Sequence, residues 1–175
     1  MFSFRPILLS AALLLAPAAH AEVARFTTGP VIADYGPVAA VEGAAPIPAD
    51  THFKVVFDVA EGAEAGSVNR QIESAARFLN MHARAGIPPE NIRLAIVVRG
   101  SAVRDVTTHP RQGADNPNAP LIAALLAHHV DIYVCGQSMA HANISPTELL
   151  PGVQQSLSAM TAHALLQQQG YTLNP

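Results

Sequence analysis

Five short runs of apolar residues have the composition of β-strands. Residues 52–59 and 91–98 are rich in Val, Ile, Leu and Phe, and each run is nearly continuous, as in strands that are covered on both faces. The shorter predicted strands are residues 130–134, 153–155 and 171–173. Because helical segments separate these runs, the pattern predicts an α/β fold with a mostly parallel sheet of four to five strands. We expect a single domain over residues 51–175, with helices on both faces of the sheet.

Helical periodicity follows the first predicted strand and precedes the third. Ser67 is the predicted N-cap of a helix that ends at Gly86. Asn118 is the predicted N-cap of a second helix, which has Pro120 in its first turn. The apolar positions of these helices are Val68, Ile72, Ala75, Ala76, Leu79 and Ala83 in the first, and Leu121, Ile122, Leu125 and Leu126 in the second.

Three further helical segments are predicted from caps and spacing. A short helix opens at Gly100 and extends through Val106, and the capping box of Ser145 and Glu148 begins another. The last long helix is predicted over residues 157–169. Its predicted inward residues are Leu157, Met160, Ala164 and Leu165.

Residues 1–21 have the three-part pattern of a secretory signal peptide. Arg5 precedes an apolar run over residues 7–16, and Ala19 and Ala21 are the small residues of a cleavage site. The run is too short to span a bilayer, and no later stretch reaches about 18 consecutive apolar residues. We therefore expect cleavage after Ala21, a periplasmic location and no membrane insertion after cleavage.

The remaining chain is poor in charge and begins with an arm of irregular composition. Residues 22–50 are rich in Pro, Gly and Ala, and this arm either packs over the domain or reaches a neighbouring subunit. Only 13% of the residues of the whole chain are charged, and the formal net charge is −3. The absence of Lys and Arg clusters argues against nucleic acid as a partner. The low charge suggests that some outer surface is buried in an oligomer.

Cys135 is the only cysteine of the chain, and it follows the third predicted strand. In an oxidising compartment, a thiol without a partner in its own chain is flagged as a reactive or intermolecular group. Gly136 lets the backbone turn tightly and leaves the sulfur open to approach. If a helix begins at Gln137, its N–H groups favour the thiolate and can bind an anion. The alternative is an inert buried cysteine, which behaves as a small hydrophobe.

Other polar residues are predicted near Cys135, because ligands gather beyond the carboxyl ends of parallel strands. Asp58 and Arg99 lie at the ends of the first two strands, where Arg99 could hold an anion or lower the thiol pKa. Each could equally form an ion pair or stay solvated. His141 could turn back to stabilise the thiolate, could pair with it as in a Cys–His hydrolase, or could be a solvent-exposed loop residue. The candidate catalytic residues are Cys135, Gly136 and His141, and the candidate substrate-binding residues are Asp58, Arg99 and Gln137.

The sequence contains no motif for a metal or an organic cofactor. It has no C-x-x-C pair, no P-loop and no G-x-G-x-x-G after the first strand. His128 and His129 would point about 100° apart on a helix, which is poor geometry for shared ligation. His129 lies where a C-terminal glycine is expected, so we predict a structural role in left-handed geometry. We predict neither a metal site nor a cofactor.

Several segments resemble the exported branch of the DsrE/DsrF-like sulfur-relay superfamily. These segments are residues 54–59, 91–98, 132–137, 149–153 and 168–171. The resemblance spans residues 51–175, and the strand–Cys–helix pattern around Cys135 is its most specific part.

The resemblance implies a compact α/β fold around a parallel sheet and assembly into homotrimers or homohexamers. It further implies that Cys135 accepts sulfane sulfur as a persulfide and hands it on. The expected partners are other copies of the chain, a sulfur donor, and an acceptor protein or small thiol. The alternative is a non-catalytic homo-oligomeric binding or assembly module of the same fold, in which Cys135 is structural.

Overall fold

A computed structural model describes residues 25–109 and 115–174, which form alternating strands and helices. The strands are β1 (Phe53–Val59), β2 (Ile92–Val98), β3 (Asp131–Cys135), β4 (Gln154–Ser156) and β5 (Thr172–Asn174). The α-helices are α1 (Arg70–Arg84), α2 (Ala119–Ala127), α3 (Gly136–His141) and α4 (Ala159–Gln168). Short 3-10 helices occupy Pro89–Asn91, Gly100–Val106 and Pro146–Glu148. The predicted signal peptide, residues 1–21, lies outside the described residues.

The five strands of the described residues pair in parallel, in the order β4-β3-β2-β1-β5. The predicted α/β fold and its parallel sheet are therefore confirmed, with strand bounds shifted by a residue or so. Because carboxyl ends of parallel strands meet at one edge, the sheet brings Asp58 of β1, Arg99 after β2 and Cys135 of β3 to the same edge.

Helices cover both faces of this sheet, as predicted. On one face, α1 and α2 pack against β1, β2 and β3 around the larger core. Its fully buried members include Ile72, Leu79, Ile96, Leu121 and Ile132, and burial of each such side chain contributes about 1.5–3 kcal/mol. The opposite face is covered by α4. There the buried residues are Ala159, Ala162 and Leu166 of the helix and Val56, Ala95, Val97 and Cys135 of the strands.

The predicted orientation of α4 is wrong. The N-cap is Ser158, whose Oγ accepts the N–H of Thr161 at 3.0 Å, so the helix begins later than expected. The residues expected inside are exposed, and they are Leu157 (72%), Met160 (80%), Leu165 (52%) and Ala164. Apolar residues occur all around this helix, so periodicity did not fix its orientation. The small side chains of Ala159 and Ala162 face the sheet and allow close packing.

Two polar side chains at helix starts act differently from the prediction. The N-cap of α1 is Asn69 rather than Ser67, because Asn69 Oδ1 accepts two first-turn N–H groups at 2.9 and 3.3 Å. Ser67 is exposed and belongs to the preceding turn. Asn118 precedes α2 as predicted, but its Oδ1 accepts the N–H of Asn69 at 2.6 Å and so links the starts of the two helices.

Three local predictions are confirmed. His129, directly after α2, has a φ of 59° and takes the left-handed role of a C-terminal glycine. Ser145 and Glu148 form the capping box of the 3-10 helix at Pro146–Glu148. The helical segment predicted from Gly100 through Val106 is a 3-10 helix with the same bounds.

Part of the arm, residues 27–38, packs against α1 of the same chain. Asn80 is 0% exposed, and its Oδ1 accepts the N–H groups of Val31 and Ile32 at 3.0 and 2.8 Å. Its Nδ2 donates to three carbonyl oxygens, those of Ile32, Tyr35 and Gly36. Arg84 adds hydrogen bonds to the carbonyls of Thr27, Thr28, Gly29 and Val38. Glu73 and Arg77 of α1 pair two further backbone groups, the N–H of Gly36 and the carbonyl of Pro37, so polar side chains of α1 hold the arm through its backbone.

We expect Asn80→Ala to lower the free energy of unfolding by about 2–4 kcal/mol, since it leaves buried arm N–H and C=O groups unpaired. Urea unfolding measures this loss, and limited proteolysis should cut residues 27–38 faster in the variant. Asn174→Ala, at an exposed position, is the control and should change stability by less than about 0.5 kcal/mol. Equal stability and equal proteolysis of Asn80→Ala and wild type would refute this role of Asn80.

Candidate functional site

The sulfur of Cys135 lies where two helices begin. Cys135 ends β3 and is the N-cap of α3, and the start of α4 packs over it. The backbone N–H groups of Gln137 and Ser138 in α3 and of Ala159 in α4 are positioned to donate hydrogen bonds to the thiolate form, as is the Ser138 hydroxyl. The residue is only 5% exposed. Protein donors therefore take the place of water around this sulfur.

These donors determine the ionisation of Cys135. Burial by itself raises the pKa of the thiol, because it penalises the charged form. The hydrogen bonds from Ser138, Ala159 and Gln137 outweigh burial and hold the pKa of Cys135 below its usual value. The thiolate thus stabilises the folded state above the ordinary cysteine pKa, and this contribution is lost as the pH falls through the folded pKa. Since the thiolate is the nucleophilic form, the geometry favours a reactive sulfur.

The Ser138 hydroxyl is oriented by a backbone group from a neighbouring loop. The N–H of Gly100 donates to Ser138 Oγ at 3.1 Å, which leaves the hydroxyl hydrogen for the sulfur. Gly100 has a φ of +57°, and a Cβ there would lie 2.7 Å from the carbonyl oxygen of Ala60. A side chain at this position would displace the loop that holds Ser138 in place.

Gly136 allows the loop between β4 and α4 to approach Cys135. A Cβ on Gly136 would lie 2.7 Å from the carbonyl oxygen of Ser156 and 3.3 Å from that of Leu157. This loop leads directly into Ala159, whose N–H reaches the sulfur. The φ of Gly136 is outside the left-handed region. Close approach of the chain, rather than the expected tight turn, therefore requires glycine here.

Asp58 and Arg99, both predicted at this edge, form an ion pair. A third residue also bonds to the Asp58 carboxylate. Arg99 Nε lies 3.0 Å from both carboxylate oxygens of Asp58, and Nη2 lies 2.7 Å from Oδ2. His163 Nε2 of α4 is 2.9 Å from Oδ1 of the same carboxylate. Partial burial raises the pKa of Asp58, but the hydrogen bonds from Arg99 and His163 outweigh it and lower the pKa overall.

Arg99 lies between this carboxylate and the thiol. The β2–β3 register pairs Val98 with Val134, so Arg99 and Cys135 occupy the next position on adjacent strands. Asp58 raises the pKa of Arg99 most strongly, and the negative charge of Cys135 also raises it. The direct hydrogen bonds of the guanidinium go to Asp58, and a Cys135 thiolate would act on it only through its charge.

A cavity of about 590 Å³ adjoins the Cys135 site. Gln137 and Ser138 line it on the side of the thiol, and Arg104 and His141 line it further along α3. His141 is exposed in the last turn of α3, and it is not among the groups that contribute most to the Cys135 pKa. The structure thus places Gly136 and the backbone N–H of Gln137 at the thiol, Arg99 at the neighbouring register position, and His141 in the adjoining cavity.

Within the described residues there is neither a cluster of metal-ligating side chains nor a helix that could span a membrane. No group of three or more His, Cys, Asp or Glu side chains in residues 25–109 and 115–174 is arranged to hold a metal ion. In the same ranges, no helix has the length and apolar character needed to cross a membrane.

Three contributors to the site were missing from the sequence-based prediction. Ser138 could have been found, because a hydroxyl three residues after a helix N-cap faces back towards it, as in the spacing Cys135-x-x-Ser138. Ala159 contributes only a backbone N–H, which leaves no signature in the sequence. His163 was missed because the wrong orientation of α4 placed it on the outer face.

The strand–Cys–helix geometry and the parallel sheet agree with a known family. The model of the DsrE/DsrF-like family matches residues 54–175. The chain belongs to the DsrE/DsrF-like family. The match covers all five strands except the first residue of β1, together with Cys135 and its donors.

Two solved structures share the fold of this DsrE/DsrF-like domain. MTH1491 from Methanobacterium thermoautotrophicum, a protein of unknown function, has a TM-score of 0.55 and 19% identity, covering 70% of this chain and 97% of that one. The ychN protein from E. coli has a TM-score of 0.51 and 17% identity, covering 70% and 100%. No curated protein matches the chain. At these identities the structural matches establish the fold.

We expect Ser138→Ala to raise the pKa of Cys135 by about 0.5–1 unit, because the thiolate loses its hydroxyl donor. Ultraviolet absorbance of the thiolate across a pH series, with Cys135→Ser as the blank, measures the shift. Ser74→Ala in α1, on the other face of the sheet, is the matched control and should titrate like wild type. A Ser138→Ala curve that overlays wild type would show that the hydroxyl does not act on the sulfur.

Proposed function

We propose that this protein is an exported sulfur carrier or sulfurtransferase-like protein that forms a transient persulfide on Cys135. The observation that carries the proposal is the set of backbone and hydroxyl donors around one sulfur at the end of β3, in a chain of the DsrE/DsrF-like family. Donors that stabilise a thiolate also stabilise the terminal anion of a persulfide. The signal-peptide pattern of residues 1–21 supports the periplasm as the site of action.

The proposed transfer is a displacement at sulfur. The Cys135 thiolate attacks the outer sulfur of a hydropersulfide or polysulfide, and a new S–S bond forms. The donor leaves with the electrons of the broken S–S bond, as a thiolate from a hydropersulfide or as a polysulfide shortened by one sulfur. In the second half-reaction, an acceptor thiolate attacks the outer sulfur of the Cys135 persulfide and regenerates the Cys135 thiolate. Sulfane sulfur is transferred without net oxidation or reduction.

The cavity beside Ser138 provides a route for the donor. Its volume of about 590 Å³ is sufficient for a small thiol or a polysulfide chain. Gln137, a candidate substrate-binding residue, lines this cavity, and its Nε2 is 3.5 Å from the carbonyl oxygen of Leu157. We assign the cavity as the approach path and the donors around Cys135 as the cradle for the transferred sulfur.

The burial of Cys135 favours one alternative, a non-catalytic binding or assembly module. At 5% exposure, with Val56, Val97 and Ala162 in the same apolar cluster, the thiol could serve as a packed core residue. This alternative predicts no chemistry at the sulfur, so the persulfide experiment separates the two functions.

Incubation with inorganic polysulfide should add one or more sulfur atoms to the native protein, as measured by intact mass. The adduct should disappear on treatment with dithiothreitol, since persulfides are reducible. Cys135→Ser is the control and should remain at its original mass. Lack of an adduct on wild type, or an equal adduct on Cys135→Ser, would contradict the carrier function.

A second part of the proposal concerns homo-oligomerisation through the outer face of α4. Leu157, Met160 and Leu165 are each more than half exposed on this surface. Residues 149–175 contain no Asp, Glu, Lys or Arg. An apolar surface without charges is typical of an interface between identical chains, and trimeric or hexameric assembly agrees with this surface.

We expect Met160→Glu to shift the protein to a smaller assembly, because it places a charge in the proposed interface. Size-exclusion chromatography with light scattering measures the molar mass. Met81→Glu is the matched control, since Met81 is 42% exposed on α1, on the opposite face of the sheet. A monomeric wild type, or a Met160→Glu variant with the wild-type mass, would rule out this interface.

A further inference from the structure

His163 of α4 has one ring nitrogen that is hydrogen-bonded and one that is not. Its Nε2 is hydrogen-bonded to Asp58, and its side chain is 18% exposed. Among buried side-chain nitrogen and oxygen atoms of the described residues, His163 Nδ1 is the one that lacks a hydrogen-bond partner. A buried polar atom without a hydrogen-bond partner destabilises a fold. An apolar side chain of similar size would avoid this cost, so the bond to Asp58 is the contribution specific to the imidazole.

The position of His163 links it to the start of α4. His163 follows Ala159 by four residues, so the two lie on the same side of α4 about one turn apart. Ala159 donates its N–H to the Cys135 thiolate, while His163 bonds to Asp58 at the end of β1. The helix is thus attached to the carboxyl edge of the sheet at two points. The packing of Ala162 and Leu166 keeps α4 on the sheet, so we expect loss of the His163 attachment to loosen the first turn beside the sulfur rather than to release the helix.

A second connection from His163 to Cys135 passes through Asp58 and Arg99. Asp58 accepts hydrogen bonds from both His163 and Arg99, so the imidazole fixes the carboxylate that orients the guanidinium. Arg99 occupies the register position next to Cys135, and the thiolate charge acts on it. The first connection ends at an N–H beside the sulfur, and the second ends at the register position next to Cys135.

We propose that His163 is a positioning residue for the Cys135 thiolate, holding the first turn of α4 and the Arg99 guanidinium against the end of β3. The inference rests on the proposed function only in that Cys135 acts as a thiolate. No Asp, Glu, Lys or Arg occurs in α4. The sheet and the C-terminal segment contribute further titratable and charged groups to this face, which are Lys54, Asp58, Arg93, Arg99, Asp131, Tyr133 and Tyr171.

The thiolate titration of Cys135 tests this inference without a sulfur donor. In His163→Met, an apolar replacement of similar size, the thiolate fraction at a pH below the midpoint should fall about three- to tenfold, equivalent to a pKa rise of about 0.5–1 unit. His163→Gln keeps an N–H donor within reach of Asp58 and should stay within about twofold of wild type. His128→Ala, at an exposed position outside the site, should titrate as wild type.

Urea unfolding of the same variants separates positioning from a purely structural role. A His163→Met variant that is less stable but titrates like wild type would overturn the inference, as would equal shifts in His163→Met and His163→Gln. If polysulfide forms the Cys135 persulfide and the titration of His163→Met is unchanged, the inference fails while the proposed function stands. If the titration of His163→Met is shifted but polysulfide forms no persulfide on wild type, the proposed function fails while the inference stands.

Discussion

A buried sulfur atom carries negative charge only if hydrogen-bond donors replace the water that it has lost. The Cys135 site meets this condition with N–H groups from two helices and a hydroxyl that Gly100 orients. Ala159 reaches the sulfur because Gly136 has no side chain to hold back the loop after β4. The proposed persulfide chemistry, the cradle for an anion and the position of α4 all depend on this close approach.

The parallel sheet adds a row of charges to the same edge. Asp58, Arg99 and Cys135 occupy neighbouring strands, so a guanidinium lies between a carboxylate and the thiol. Because Asp58 holds the Arg99 guanidinium in place, Arg99 is available to stabilise a second anion at Cys135. His163 completes the row from the helix that covers it. The strand ends of the sheet thus carry Asp58, Arg99 and Cys135. Helix α4 adds the hydrogen bond of His163 that orients this row.

The sequence was sufficient to predict the fold and the location of Cys135, because long apolar strands and Pro, Gly and Asn boundaries are strong local signals. It was insufficient for α4, because apolar residues occur all around this helix, and because its N-cap, Ser158, lies one residue after the predicted start at residue 157. That error in orientation hid His163, which lies 105 positions from Asp58 along the chain. Backbone donors such as the N–H of Ala159 depend on tertiary approach and have no sequence signature.

The central claim is that the folded protein stabilises the Cys135 thiolate. The most direct measurement is the midpoint of thiolate formation in native wild-type protein compared with the same protein unfolded in urea, with Cys135→Ser subtracted from both. We expect a lower midpoint in the folded state, since the surrounding donors outweigh burial. A folded midpoint equal to or above that of the unfolded chain would contradict it, because burial would then dominate and Cys135 would be a packed core thiol.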